Sequence, residues 1–274
     1  MWSDQGMDPG AVAPERAAQA GAWELRNEVE IMAGLAAGEL RPWYQPIVDL
    51  TTDRMIGVEA LVRWHRPDGT VESPASFLPV AERSDLVLDI DRAIFVQALA
   101  DLCRWQQTRP AFRVSVNLSG RQLDRPTLPS ELDVAVAAAG VRPGSIDLEI
   151  TETARPTDLP TSREVVARLG ERGYTVWFDD FGTGWSSLYD LLTTPVGGIK
   201  LERSIADHLG TPVGDALIGA LATAADQVGF KVTIEGIEHR SQAERARALG
   251  CHYGQGSWWS RPRPAADIPA LISG

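Results

Sequence analysis

Short apolar runs, each carrying one conspicuous polar residue, alternate along this chain with longer stretches of helical periodicity. A helical stretch over Trp23–Leu35, with Gly38 as its stop, precedes the first such run, Trp43-Tyr44-Gln45-Pro46-Ile47-Val48. A turn at Asp49–Asp53 then leads into Met55–Trp64. Alternation there puts Ile56, Val58, Ala60, Val62 and Trp64 on one face and Gly57, Glu59, Leu61 and Arg63 on the other. A Glu and an Arg on one face of an apolar strand are costly to bury unless they find partners. The connection is too short for a crossover helix, so the two strands are predicted to pair as an antiparallel hairpin.

Helices are predicted over Asp89–Gln106, Glu131–Ala139, Arg163–Leu169, Ser187–Leu192, Asp215–Val228 and Ser241–Leu249. They separate strands at Phe112–Leu118, Ile146–Thr151, Tyr174–Asp179, Gly198–Leu201, Phe230–Glu235 and a short last strand within His252–Ser257. With the hairpin this makes eight strands, whose polar residues are Gln45, Glu59, Asn117, Glu149, Asp179, Lys200, Glu235 and Gln255. Strands alternating with helices predict an α/β fold closed into a barrel of parallel strands. The C-terminal strand ends and the loops after them form one rim, so polar side chains near those ends converge on one site.

Composition narrows the classes. The chain has 274 residues, 44% hydrophobic and 23% charged, which is ample for one barrel domain. Its formal net charge of -11 argues against binding polymeric nucleic acid. An anionic substrate would have to be drawn in by a metal or by local Arg and Lys side chains. Cys103 and Cys251 show no zinc or disulfide spacing and read as small core residues. No apolar run is long enough to span a membrane, and Met1–Gly10 has no signal-peptide pattern, so the cytoplasm is the expected location. Residues 1–22, rich in Ala, Gly, Pro and Gln, read as a disordered leader or linker before a single domain over 23–274. Arg240–Arg247 reads as a solvated helix face.

The candidate chemistry centres on Val176–Leu188, where an apolar run ends in the adjacent carboxylates of Asp179 and Asp180 and then a loop with two glycines. Neighbouring like charges are usually reconciled by a divalent cation. Glu59, Asn117, Glu149 and Asp179 offer hard oxygen ligands without His or Cys, which favours Mg²⁺ or Mn²⁺ over zinc. Asp180 points to a second metal with Asp179 bridging. Paired metals roughly 3.5–4 Å apart are a recurring device for phosphodiester hydrolysis. Lys200 and Arg63 suit phosphate oxygens or the attacking water, and Glu235 is a candidate general base.

Gly57-Val58-Glu59-Ala60-Leu61-Val62-Arg63-Trp64 resembles the signature of EAL-domain cyclic-di-GMP phosphodiesterases. The resemblance runs from about Glu28 to Pro262 through Tyr44–Val48, Val116–Ser119, Leu148–Glu152, Asp179–Gly184, Ile199–Leu201, Ile234–Glu238 and Gly254–Gly256. It implies a modified TIM-like (β/α)8 barrel with an antiparallel first strand, cleaving cyclic di-GMP to linear pGpG. Glu59, Asn117, Glu149 and Asp179 would then bind one metal, and Asp179 with Asp180 the other. Lys200 and Glu235 would handle the nucleophilic water. Gln45, Leu61 and Arg63 would contact substrate, with Gln255 beside Glu235. Glu152 would hold the Asp180–Ser187 loop and Glu238 would support the same rim. A homodimer, and an upstream sensory or cyclase module, are further expectations.

The chain departs from the family pattern at Trp185 (usually Tyr), Glu202 (Asp), Ile234 (Ala) and His252 (Asp). Glu202 reaches one methylene further, which is expected to displace a partner of Lys200. His252 replaces a carboxylate and reads as a satisfied rim histidine, with a cation beside Gln255 as the alternative. The alternative function is a receptor that binds cyclic di-GMP without cutting it. Such members lose metal ligands, and each of those named above is present here.

Overall fold

The computed structural model describes residues 27–151, 159–182 and 188–273. The leader over 1–22, Glu152 and Trp185 lie outside the described residues. The first described helix, α1 (27–36), ends just before Gly38, whose φ of +69° suits a residue without Cβ. Strands β1 (Leu40–Asp49) and β2 (Arg54–His65) form the hairpin, in a register that sets Gln45 opposite Glu59. Short β3 (Val71–Glu72) extends β2. The chain continues through α2 (Leu78–Ala81), α3 (Leu86–Gln106), β4 (Arg113–Leu118), α4 (Gly120–Leu123), α5 (Leu128–Ala139) and β5 (Ile146–Thr151). Then come α6 (Leu159–Glu171), β6 (Thr175–Phe181), α7 (Leu188–Thr193), β7 (Gly198–Leu201), α8 (Arg203–Ala206), α9 (Pro212–Val228) and β8 (Lys231–Ile234). The described chain finishes with α10 (Arg240–Ala248), β9 (Tyr253–Gly254), β10 (Arg263–Pro264) and α11 (Ile268–Ser273).

Eight strands close on themselves in the order β1-β2-β4-β5-β6-β7-β8-β9-β1. β1 is antiparallel to both neighbours, and every other pair in the ring is parallel. This is the α/β barrel with a reversed first strand that the sequence predicts. Short β10 pairs with β1 outside the ring.

Period-two alternation sorts the side chains. In β2, Val58, Ala60, Val62 and Trp64 are buried against the helices, while Glu59, Leu61 and Arg63 face the barrel axis. Trp64 fits because Gly34 of α1 lies over its indole: a Cβ there would fall 2.7 Å from Trp64 Nε1. Helix α3 covers the hairpin and β4 with Leu86, Ile90, Ile94, Ala98, Leu102 and Trp105, a stripe at three- and four-residue spacing. Helix α9 starts at Thr211, whose hydroxyl accepts from Gly214 N, and stops at Gly229 with φ +97°.

The element ends differ from expectation in ways that matter to the site. β8 stops at Ile234 and β9 at Gly254, so Glu235 and Gln255 stand just beyond their strands, on the rim. α2, α4 and α8 are four-residue helices, too short to leave a periodic signal in the sequence. Among the described residues no helix is long and apolar enough to cross a membrane.

Candidate active site

The strand ends bring five carboxylates and one ammonium to the barrel mouth. Lys200, on β7 and only 2% exposed, is the hub. Its Nζ lies 3.2 Å from Glu59 Oε2, 2.9 Å from Glu149 Oε2, 3.2 Å from Asp179 Oδ1 and 2.6 Å from Glu235 Oε1. Glu59 is held further by Asn117 Nδ2, which donates to Oε1 at 3.2 Å, and by Gln255 Nε2, which donates to Oε2 at 2.6 Å. Gln255 Nε2 also donates to Gln45 Oε1 at 3.1 Å, and Gln45 Nε2 to the Ser260 carbonyl at 3.2 Å. A chain of amides thus links the acidic cluster to the loop after β9. Ser115 Oγ donates to Glu149 Oε1 at 2.5 Å.

One lysine cannot neutralise this cluster. Burial, then the charge of Glu59, pushes the Glu149 carboxyl well above its ordinary range despite Lys200. Burial raises Asp179 too, against the pull of Lys200. Glu235 is pushed up to about 8, mainly by burial, with Lys200 opposing. Asp180 is raised to about 6 by burial and by the Asp179 charge. Burial would also raise Glu59, but Lys200 and the two amide donors outweigh it and hold it low. Lys200 is held well above its ordinary range because its carboxylates outweigh its burial.

Two oxygen triads meet the geometric demand of a cation: Glu59, Glu149 and Asp179, and Asp179, Asp180 and Glu235, each with ligand atoms within 4.8 Å of one another. Asp179 belongs to both. Asp180 has φ +53°, a left-handed conformation rare for a residue with Cβ and common at functional turns. The donor set is all oxygen and crowded with like charge, which fits hard divalent cations.

Two cavities open at this cluster. One, of about 430 Å³, is lined by Gln45, Leu61, Lys200, Glu235, Gln255 and Arg261, among others. The other, of about 910 Å³, reaches from Glu59, Leu61, Asn117 and Asp179 to Asp91 of α3. Burial pushes Asp91 up to about 7. Arg63 stands apart from the triads. Its Nη1 donates to the Val62 carbonyl and its Cζ lies 5.9 Å from the Trp43 ring centroid. Glu238 pairs with Arg203 at 2.9 Å.

One departure behaves differently from expectation. Glu202 does not take the place of a Lys200 partner: it caps α8, accepting from Ser204 N at 3.2 Å. His252 is a satisfied histidine, as expected, and not the cation beside Gln255 of the alternative reading. Its Nδ1 accepts from Val232 N, its Nε2 meets Asp226 of α9 at 3.1 Å, and burial lowers its pKa. Ile234 is fully buried in the core. Sequence reasoning also missed Ser115, Asp91 and Arg203. Ser115 was within reach, because it lies two positions before Asn117 and so shares its face. Asp91 and Arg203 lie on helices, where strand alternation says nothing.

Residues 28–262 match the EAL domain family. A Pseudomonas aeruginosa protein named as a cyclic di-GMP phosphodiesterase is 33% identical over 220 residues, which are 80% of this chain and 38% of that one. The chain spans well under half the length of the curated relatives it matches, 41% for an uncharacterised Mycobacterium bovis protein. The EAL enzyme Bd1971, solved with cAMP and cyclic di-GMP bound, superposes with a TM-score of 0.87 at 30% identity, over 95% of this chain and 72% of that one. A match that covers the barrel from α1 through the loop after β9 shows that the chain belongs to the EAL domain family.

Proposed function

We propose that this chain hydrolyses cyclic di-GMP to linear pGpG, using Mg²⁺ or Mn²⁺, two ions per site. The observation that carries this reading is the excess of carboxylate over ammonium at the barrel mouth. Glu59, Glu149, Asp179, Asp180 and Glu235 face one Lys200, and two divalent cations would balance the remainder. Glu59, Asn117, Glu149 and Asp179 would hold one ion, and Asp179 with Asp180 the other. Bound there, the ions would acidify a water and offset charge developing on phosphorus.

The chain's own groups supply the rest. Glu235, on the rim 2.6 Å from Lys200 Nζ, is placed to accept the water's proton in its carboxylate form. Lys200 holds that carboxylate and a phosphate-facing positive charge in one place. In the overall reaction, the water oxygen bonds to phosphorus, the P–O3′ bond breaks, and the 3′-oxygen takes a proton. Gln45, Leu61, Arg63 and Gln255 would contact the nucleotide, while Glu238, through Arg203, would support the rim. Glu152 is proposed to hold the loop after Asp180. The cavity toward Asp91 has room for a nucleobase and its ribose. We further propose a domain over 23–274 that acts in the cytoplasm as a homodimer, joined to a sensory or cyclase module in a longer protein.

The test is incubation with cyclic di-GMP and either metal, with chromatography to detect pGpG. Wild type should produce it and Glu59→Ala should not. Equal turnover by that variant would refute the site. Tight binding with no cleavage in either metal would make the chain a receptor.

A further inference from the structure

Beneath the acidic cluster the barrel holds a third cavity, of about 230 Å³, separate from the two at the mouth. Arg113, Asp147, Thr175, Trp177 and Tyr253 line it, and Glu149 and Lys200 form its roof. Lys200 also lines the smaller mouth cavity and so stands between that cavity and this one, with Glu149 Oε2 bonded to its Nζ at 2.9 Å. Ser115 lies at that boundary. In register it pairs with Glu59 on one side and Asp147 on the other, two residues below the Asn117–Glu149 pair and on the same face. Its side chain rises to the next level, where Oγ donates to Glu149 Oε1 at 2.5 Å. The other oxygen of the same carboxylate, Oε2, accepts from Lys200 at 2.9 Å. Ser115 and Glu149 are each 1% exposed.

The two oxygens of Glu149 therefore have different tasks. We propose that Ser115 is a positioning residue: its hydroxyl ties Oε1 down from below and so keeps Oε2 turned to the mouth, where a divalent cation would bind. This rests on the metal-dependent reading above. Glu149 stands among like charges, and a carboxylate in that setting lowers its energy by rotating away. A short hydrogen bond from a side chain fixed on the neighbouring strand removes that freedom. Groups that orient a ligand in this way typically change metal affinity by about 10–100-fold when lost.

The experiment titrates Mn²⁺ alone into the chelator-treated 274-residue chain by calorimetry, comparing wild type with Ser115→Ala, Ser115→Cys and Ser115→Thr. Mn²⁺ affinity should fall about 10-fold or more in the Ala and Cys variants and return in Thr, which keeps the hydroxyl. In turnover, kcat should fall while KM for cyclic di-GMP holds. A purely structural hydroxyl would lower the metal-free melting temperature and leave Mn²⁺ affinity alone, and that result overturns the proposal. If the Ala variant does not fold, the contrast between Cys and Thr decides. Wild type that binds no Mn²⁺ would sink the metal reading itself. Wild type that binds, with unchanged Ala and Cys variants, would sink only the role of Ser115.

Discussion

Lys200 Nζ and Glu235 Oε1 lie 2.6 Å apart, although one sits on β7 and the other just past the end of β8. The lysine is the shared counter-ion of four carboxylates. Lys200→Met would leave all four facing one another. Removing one partner of a buried charge cluster typically costs about 3–5 kcal/mol. Urea denaturation in chelator should show a loss of that order, and pGpG formation should fall below detection. A variant as stable as wild type would mean that the cluster is neutralised by protons rather than by Lys200.

Chelation and reloading should move stability and turnover together. Chelated protein should make no pGpG, and Mg²⁺ or Mn²⁺ should restore it. An ion at about 100 times its Kd adds about 2.7 kcal/mol per site bound only in the folded state. The melting temperature should therefore rise with Mn²⁺ concentration, and Asp179→Asn, which alters the carboxylate shared by both triads, should blunt the rise. Wild type whose melting temperature ignores Mn²⁺ would contradict this.

Asp91 makes a prediction about pH. Burial raises its folded pKa to about 7, with the Ser119 N–H, which donates to Oδ2 at 3.3 Å, opposing. The ordinary carboxyl value is about 3.9. The folded state therefore holds an extra proton between those values. The stability contribution is complete below the lower value and is lost as pH rises through the upper one. Asp91→Asn cannot titrate, so its urea midpoint in chelator should fall less than that of wild type between about pH 5 and pH 8. Parallel pH profiles for the two would refute the assignment.

Below the site, Trp177 and Gly198 are matched across β6 and β7, where they pair in register. A Cβ on Gly198 would stand 2.2 Å from Trp177 Cζ3, and the indole is anchored by its Nε1 donating to Asp147 Oδ1 at 3.0 Å. Gly198→Ala should cost about 1–3 kcal/mol, as overpacking does. Adding Trp177→Phe should recover part of the loss, so the double variant should be more stable than the sum of the single effects. Strict additivity in urea denaturation would show that the ring moves aside freely.

The pattern of residues alone carried the barrel, the reversed first strand and the identity of the polar side chains at the mouth. Strand alternation fixes which face a residue takes, and the Asp49–Asp53 turn leaves no room for a crossover, so both can be read locally. The short helices α2, α4 and α8 could not be read, since four residues hold barely one turn of periodicity. Residue type alone does not say that Glu202 meets Ser204 on α8 or that His252 meets Asp226 on α9. Which oxygen meets which donor was beyond the sequence as well. Lys200 and Glu59 are 141 positions apart, and Ser115 and Glu149 are 34. Side-chain type and period are properties of neighbours along the chain, whereas those contacts depend on the stagger of strands that meet only when the barrel closes.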